Sequence, residues 1–196
     1  YTHICAEALR QMAHLQFYLQ QWNQAQVYYK QCLALFEGEK DRGGIASIYN
    51  RLGNIASEQG EYELARKYHQ QAIDMVLPKV AQCDDYQRLI AGAYNDLGVI
   101  ASKQTDWSAA IDYFEKSLNI CDQIAVPRLA ALVYMNLAMA YVDCEEWEAA
   151  GESYAEATAI AEESGDLLLL SKIYINRAEF LLNIASIDAA HLYCDK

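Results

Sequence analysis

The chain has 196 residues, is 54% hydrophobic, holds only two prolines and carries a formal net charge of −12. That much apolar matter can bury a large core, and so acidic a chain is repelled by phosphate backbones, which argues against nucleic acid as a partner. Ala, Leu, Gln, Glu and Tyr outnumber Val and Thr, which favours helix over strand. No apolar run approaches the roughly 18 residues of a membrane span; Leu167 to Leu170 is far too short.

The first segment, about 3–39, sets Leu9, Ala13, Trp22, Ala25 and Cys32 in a register that the rest of the chain repeats. In the second, about 41–79, the same places hold Tyr49, Gly53, Tyr62, Ala65 and Ala72. The third, about 80–125, has Tyr94, Gly98, Trp107, Ala110 and Ser117. The fourth, about 127–164, has Tyr134, Ala138, Trp147, Ala150 and Ala157, and the fifth, about 166–196, has Tyr174, Ala178, Ile187 and Ala190. The alanines step by 40, 45, 40 and 40 residues. Each segment contains two apolar-periodic stretches parted by a short polar break, such as EQGEYE or KQTDW, and each stretch allows about four helical turns. A small residue on each helix lets two backbones approach, and the large aromatics fill the space between hairpins. Asp41, Asp106 and Asp166 stand just ahead of such stretches, as N-caps do. The extra five residues of the second step fall around Pro78 to Tyr86 and predict a longer loop and a longer helix there.

The segments YNRLGNIASEQGEYELARKYHQQAIDM and YNDLGVIASKQTDWSAAIDYFEKSLNI resemble the tetratricopeptide repeat, whose pattern is W-x2-L-G-x2-Y, then A-x3-F, then P. Tyr49 and Tyr94 take the Trp place, Leu52-Gly53 and Leu97-Gly98 the Leu-Gly place, and Ala110 with Phe114 the A-x3-F element. The family period is about 34 residues. Here it is 40, and Glu37, Leu77, Asp122 and Glu162 stand where the closing proline belongs. The chain is therefore similar to the longer-helix class of these repeats. The resemblance implies an all-α fold, a right-handed α–α superhelix of antiparallel hairpins, about five of them in one solenoid. The opening Tyr1 and a helix reaching Lys196 point to a piece of a longer protein.

By that resemblance the first helix of each hairpin lines a concave face. Ligand-contacting places then lie one, five, eight and nine residues beyond the register tyrosine. They fall on Arg10, His14, Phe17 and Tyr18; on Asn50, Asn54, Ser57 and Glu58; and on Asn95, Val99, Ser102 and Lys103. The last two segments contribute Met135, Met139, Val142 and Asp143, then Ile175, Glu179, Leu182 and Asn183. Asn50, Asn54 and Asn95 can hydrogen-bond an extended peptide backbone. Met135, Met139 and Val142 offer an adaptable apolar stretch, and Phe17 and Tyr18 can clamp an apolar side chain. The rival reading of each residue is ordinary solvated or packing surface. Asn136 and Asn176 lie one place further along and suit bonding between repeats. No dense Lys/Arg cluster of the kind chaperone-binding members use for a carboxylate is present.

Chemistry beyond binding finds little footing. Cys5, Cys32, Cys83, Cys121, Cys144 and Cys194 form no CxxC pair or zinc spacing, and read as reduced thiols of a cytoplasmic protein. His3, His14, His69 and His191 are scattered, with His69 at a packing place where a satisfied interhelical histidine is expected. No P-loop, G-x-S-x-G or dinucleotide fingerprint occurs, so neither cofactor nor catalytic residue is expected. Glu145 to Glu163 holds seven carboxylates and no Lys or Arg, either a solvated face or a docking surface for a basic partner. The expectation is a non-catalytic peptide- or protein-binding scaffold. Its rivals are a regulatory sensor region of a larger signalling protein or transcription regulator, and a homodimer joined through an exposed terminal repeat.

Overall fold

The polar breaks become tight turns, and the apolar stretches become helices. A computed structural model describes the backbone of residues 2–194 and the side chains of residues 3–80 and 83–185. Among the described residues there are nine α-helices and no strand: α1 (Thr2–Tyr18), α2 (Trp22–Glu39), α3 (Arg42–Glu58), α4 (Tyr62–Val76), α5 (Asp84–Lys103), α6 (Trp107–Ile124), α7 (Pro127–Asp143), α8 (Trp147–Ser164) and α9 (Leu167–Cys194). A 3-10 helix, Leu77–Gln82, follows α4. It takes up the extra residues seen in the sequence, where Pro78 cannot supply an amide hydrogen to a continuing α-helix. The helix after it, α5, is 20 residues long.

Four hairpin turns share one construction. Gln20, Gly60, Thr105 and Glu145 adopt left-handed backbone, with φ between 57° and 77°. The next amide then donates to the carbonyl five residues earlier: Gln21 to Gln16 at 2.9 Å, Glu61 to Ala56 at 2.8 Å, Asp106 to Ala101 at 3.0 Å and Glu146 to Tyr141 at 2.9 Å. This is the Schellman closure, which satisfies carbonyls that a helix end would leave bare. Each left-handed residue lies five places before a recurrent alanine, and the fifth such place falls on Ala185. No turn forms there. α9 runs unbroken from Leu167 to Cys194, so the hairpin expected over 166–196 is a single helix across the described residues. The reason is local: NIASIDAA has no glycine or proline, and alanine is the strongest helix former. Ala178, expected to meet a second helix, is accordingly exposed. The side chains of Ile187, Ala190, His191 and Cys194 lie outside the described residues.

The chain divides into two compact units, residues 1–100 and 101–196. In the first, Ala6, Ala13, Ala25, Tyr29, Cys32, Phe36, Ile45, Ile48, Leu52 and Ile55 form a buried core from α1, α2 and α3. Each large apolar side chain there stabilises the fold by roughly 1.5–3 kcal/mol relative to exposure. The small-residue rule is sharpest at Gly53, where a Cβ would stand 2.5 Å from His69 Nε2 and 2.7 Å from Cε1. In the second unit Ala131, Met135, Ala138, Ala150, Tyr154, Ala157, Ala161, Leu169, Ile173 and Phe180 make the core among α7, α8 and α9. All three expected caps form: Asp41 accepts from the Gly44 amide at 3.0 Å, Asp106 from Ala109 at 3.2 Å and Asp166 from Leu169 at 3.0 Å. Among the described residues no helix is long and apolar enough to cross a membrane.

Candidate functional site

In the first unit, the helix faces expected to hold a ligand are largely occupied by the protein itself. Asn50 donates to the Leu89 carbonyl at 3.1 Å, and its Oδ1 lies 3.2 Å from His69 Nδ1. Both ends of that carboxamide are thus committed between α3, α4 and α5. Asn95 is buried and donates to Asp96 Oδ1 at 3.1 Å. Asn54, in the amide orientation that suits both its atoms, donates to Asp96 Oδ2 at 2.9 Å and to the Asn50 carbonyl at 3.2 Å. Asn50 and Asn54 are thus structural ties between helices, and Asn95 is committed within α5, rather than open hydrogen-bonding groups.

Asp96 is the centre of this network, and the sequence pattern did not single it out. Burial pushes its carboxyl up to about 6, while Asn95, the Arg51 guanidinium and Asn54 pull it back. A signal existed: two places beyond the register tyrosine, YNRLG carries Arg51 and YNDLG carries Asp96, opposite charges at equivalent positions. Arg51 is exposed and also acts on His14, whose imidazole is held below its ordinary range by burial first and then by Arg51 and Arg10. Arg10 is half-buried and pairs with Glu7 at 2.8 Å within α1. Phe17 packs edge-on against Trp22, with ring centres 5.1 Å apart, and so serves the core more than a clamp, whereas Tyr18 is exposed. Val99 is partly buried.

His69 is fully buried on Gly53. Burial lowers its imidazole to about 4, so the ring is neutral, and a proton on Nδ1 would donate to Asn50. Nε2 has no hydrogen-bond partner among the described residues, so the histidine expected to be satisfied is satisfied on one side only.

In the second unit Met135 is buried in the core, which removes it from the open face. The place one beyond the tyrosine is drawn into the protein: Asn50 bonds to the Leu89 carbonyl, and Asn95 and Met135 are buried. The place five beyond is open: Met139 and Glu179 are exposed. They meet in a cleft of about 200 Å³ lined by Met139, Val142, Asp143, Tyr154, Asn176, Glu179, Phe180 and Asn183. Five of those eight were expected on the face from the register. Asn176 donates to Met139 Sδ at 3.3 Å and joins α9 to α7. Tyr154 and Phe180 form the floor, with ring centres 5.4 Å apart. Burial pushes the Tyr154 phenol up to about 12, with Glu179 and Asp143 adding to the shift.

A larger, shallower hollow of about 450 Å³ lies by the α6–α7 turn, among Cys121, Asp122, Ala125, Val126, Pro127, Ala130, Ile160, Glu163 and Ser164. Burial pushes the Cys121 thiol up to about 11, which makes it a poor nucleophile. Among the described residues no group of three His, Cys, Asp or Glu is placed to hold a metal.

Models of the tetratricopeptide repeat match residues 5–77, 90–124 and 133–168. The chain belongs to the tetratricopeptide repeat family. The unmatched stretch 78–89 spans most of the 3-10 helix and the start of α5. No curated protein matches the sequence. Among solved structures, BtubC (BKLC) from P. vanneervenii is similar at 20% identity and a TM-score of 0.69, over 84% of this chain and 66% of that one. The apo form of RapI is similar at 15% identity and a TM-score of 0.73, over 98% of this chain and 52% of that one. Aspartyl phosphate phosphatase F from Bacillus subtilis is similar at 16% identity and a TM-score of 0.79, over 97% of this chain and 51% of that one. The chain thus spans about half the length of the last two. These likenesses carry the fold alone: all-α, of the α–α superhelix class. A tetratricopeptide chain of this kind is a helical repeat scaffold for protein interaction.

Proposed function

We propose that this tetratricopeptide chain is a non-catalytic scaffold that holds a peptide or protein segment on the exposed faces of its first helices. The observation that carries this reading is the cleft of the second unit. There, side chains of α7, α8 and α9 converge on a space of about 200 Å³ at places that the repeat register had already assigned to the ligand face. Binding would draw on shape, an apolar floor and a polar rim, with no covalent step and no cofactor. The net charge of −12 supports a protein partner over nucleic acid. The free thiols of Cys5, Cys32, Cys83, Cys121 and Cys144 support a reducing, cytoplasmic setting.

The test is capture of partners by the full chain, compared with Met139→Asp and Tyr18→Asp. Met139→Asp places a charge on the cleft rim and is expected to lower partner affinity at least tenfold. Tyr18→Asp probes the exposed part of the other unit's face. Unchanged affinity in both variants would sink the reading. Self-association is a second reading, favoured by the exposed Leu167, Leu168, Ile175, Leu181 and Leu182 of α9. Light scattering over a concentration series separates it: a mass that stays monomeric excludes it.

A further inference from the structure

The cleft of the second unit has a chemistry more specific than a general peptide groove. Its rim carries two carboxylates, Asp143 at the end of α7 and Glu179 in the middle of α9, both exposed. Its lining contains no Lys or Arg. Its floor is aromatic, Tyr154 beside Phe180, and Met139 and Val142 form an apolar wall. Tyr154 is only 2% exposed. Its side chain lines the cleft, and both rim carboxylates act on its phenol electrostatically. Two anions at the rim with no cation in the lining leave a negative site without its counter-charge.

We infer that this cleft is a specificity pocket for an arginine side chain of the bound peptide. The planar guanidinium lies against the Tyr154–Phe180 floor, donates to the Asp143 and Glu179 carboxylates and to the Tyr154 hydroxyl, and leaves its aliphatic stem along Met139 and Val142. Each element of the lining meets a matching part of arginine. A guanidinium is planar, weakly hydrated and rich in donors, so it stacks on rings and pairs with carboxylates at once. An acidic side chain would be repelled by the rim. A purely apolar one would strip water from two carboxylates without replacing it. A volume of about 200 Å³ has room for one long side chain and not for a folded segment.

This inference rests on the reading of the first-helix faces as ligand-holding, and the experiment is chosen to separate the two. The full chain, with its methionine methyls labelled, is titrated by NMR with acetyl-Ala-Arg-Ala-amide and with the same tripeptide carrying citrulline, the neutral isostere of arginine. The arginine tripeptide is expected to shift the Met139 methyl and the Asn176 and Asn183 side-chain amides in a saturable way, and citrulline to bind at least tenfold more weakly. The double variant Asp143→Asn, Glu179→Gln should abolish that preference, with its thermal melt confirming that it folds. Tyr154→Phe should weaken arginine binding severalfold while leaving the preference in place. Equal shifts by the two tripeptides, or no shift at Met139 up to the solubility limit, overturn the pocket. If a partner's capture is sensitive to Met139→Asp while the two tripeptides behave alike, the scaffold reading stands and the arginine pocket falls.

Discussion

The first-helix faces of the two units are built on the same register and have opposite economies. In residues 1–100 the polar groups on that face are spent on the protein: Asn50 bridges α3, α4 and α5, and Asn54 and Asn95 both donate to Asp96. In residues 101–196 the corresponding groups leave carboxylates, a methionine and two aromatic rings around an open cleft. The difference shows that register settles where a side chain sits on a repeat and leaves open whether it is used inside or outside. A hydrogen-bond donor with an acceptor on the adjacent hairpin becomes structure. One without stays at the surface.

Glycine substitution should expose that contrast most strongly. Gly53→Ala drives a Cβ to within 2.9 Å of three atoms of the buried His69 ring. It should cost about 1–3 kcal/mol, as overpacking does. Gly151→Ala in α8 meets only Phe180 atoms, at 3.9 Å. It should stabilise by up to about 1 kcal/mol through helix propensity. Urea denaturation of both variants tests the pair, and changes of like sign would contradict it.

A comparable but smaller contrast is expected at the carboxylates. Asp96→Ala strips the acceptor from the Asn54 and Asn95 amides, one of them on a buried residue, and should cost about 1–3 kcal/mol. Glu179→Ala removes an exposed rim group and should stay within about 0.5 kcal/mol. If Glu179→Ala destabilised as much as Asp96→Ala, the cleft would be structural rather than open for a ligand.

The first unit also predicts a compensated pH profile. Folded Asp96 keeps its proton up to about pH 6, against an ordinary value of 3.8, so between these values the folded chain binds the extra proton and this contribution falls as pH rises. Folded His69 stays neutral down to about pH 4, against an ordinary 6.5, so there the unfolded chain binds the extra proton and this contribution rises with pH. The two slopes oppose each other across the shared window. Asp96→Asn should uncover a stability that rises with pH between about 4 and 6, and His69→Gln one that falls, each by up to about 1.4 kcal/mol per pH unit. Denaturant midpoints at several pH values read this directly, and a flat profile in both variants would dismiss the pair.

The smallest effect should be alike in both units. Gln20 and Glu145 hold left-handed backbone at φ 57° and 63°. Gln20→Gly and Glu145→Gly should each stabilise by about 0.5–1 kcal/mol, because the relieved strain exceeds the entropy cost of glycine. Similar shifts in melting temperature would confirm that the turns are common scaffold while the faces differ. A shift at one site alone would break that equivalence.

Much of the scaffold was legible because its signals are local or recur. Ala25, Ala65, Ala110 and Ala150 are all fully buried, as the register required. Asp41, Asp106 and Asp166 cap their helices because a short acceptor ahead of a helix reaches the bare amides by itself. Met139 and Glu179, with Val142, Asp143 and Asn183, do meet around one cleft. The face was misjudged at Asn50, Asn95 and Met135 because one residue along a helix turns the side chain by about 100°. Which of two adjacent places faces the next hairpin then depends on how the helices cross. Asp96 was missed because a carboxylate in a helix reads as solvated until its neighbours from α3 are in place.

By itself the sequence determined the repeat, the small residues at helix crossings, the caps and the turns, since each follows from spacing and intrinsic conformational preference. Tertiary structure alone decided that Asn50 and Asn54 are spent between helices while Glu179 is left open. It also placed Tyr154 under two carboxylates. The physical reason is common to both. Burial and hydrogen bonding depend on the angle and distance at which one hairpin meets the next, and a pattern along a single helix does not contain either.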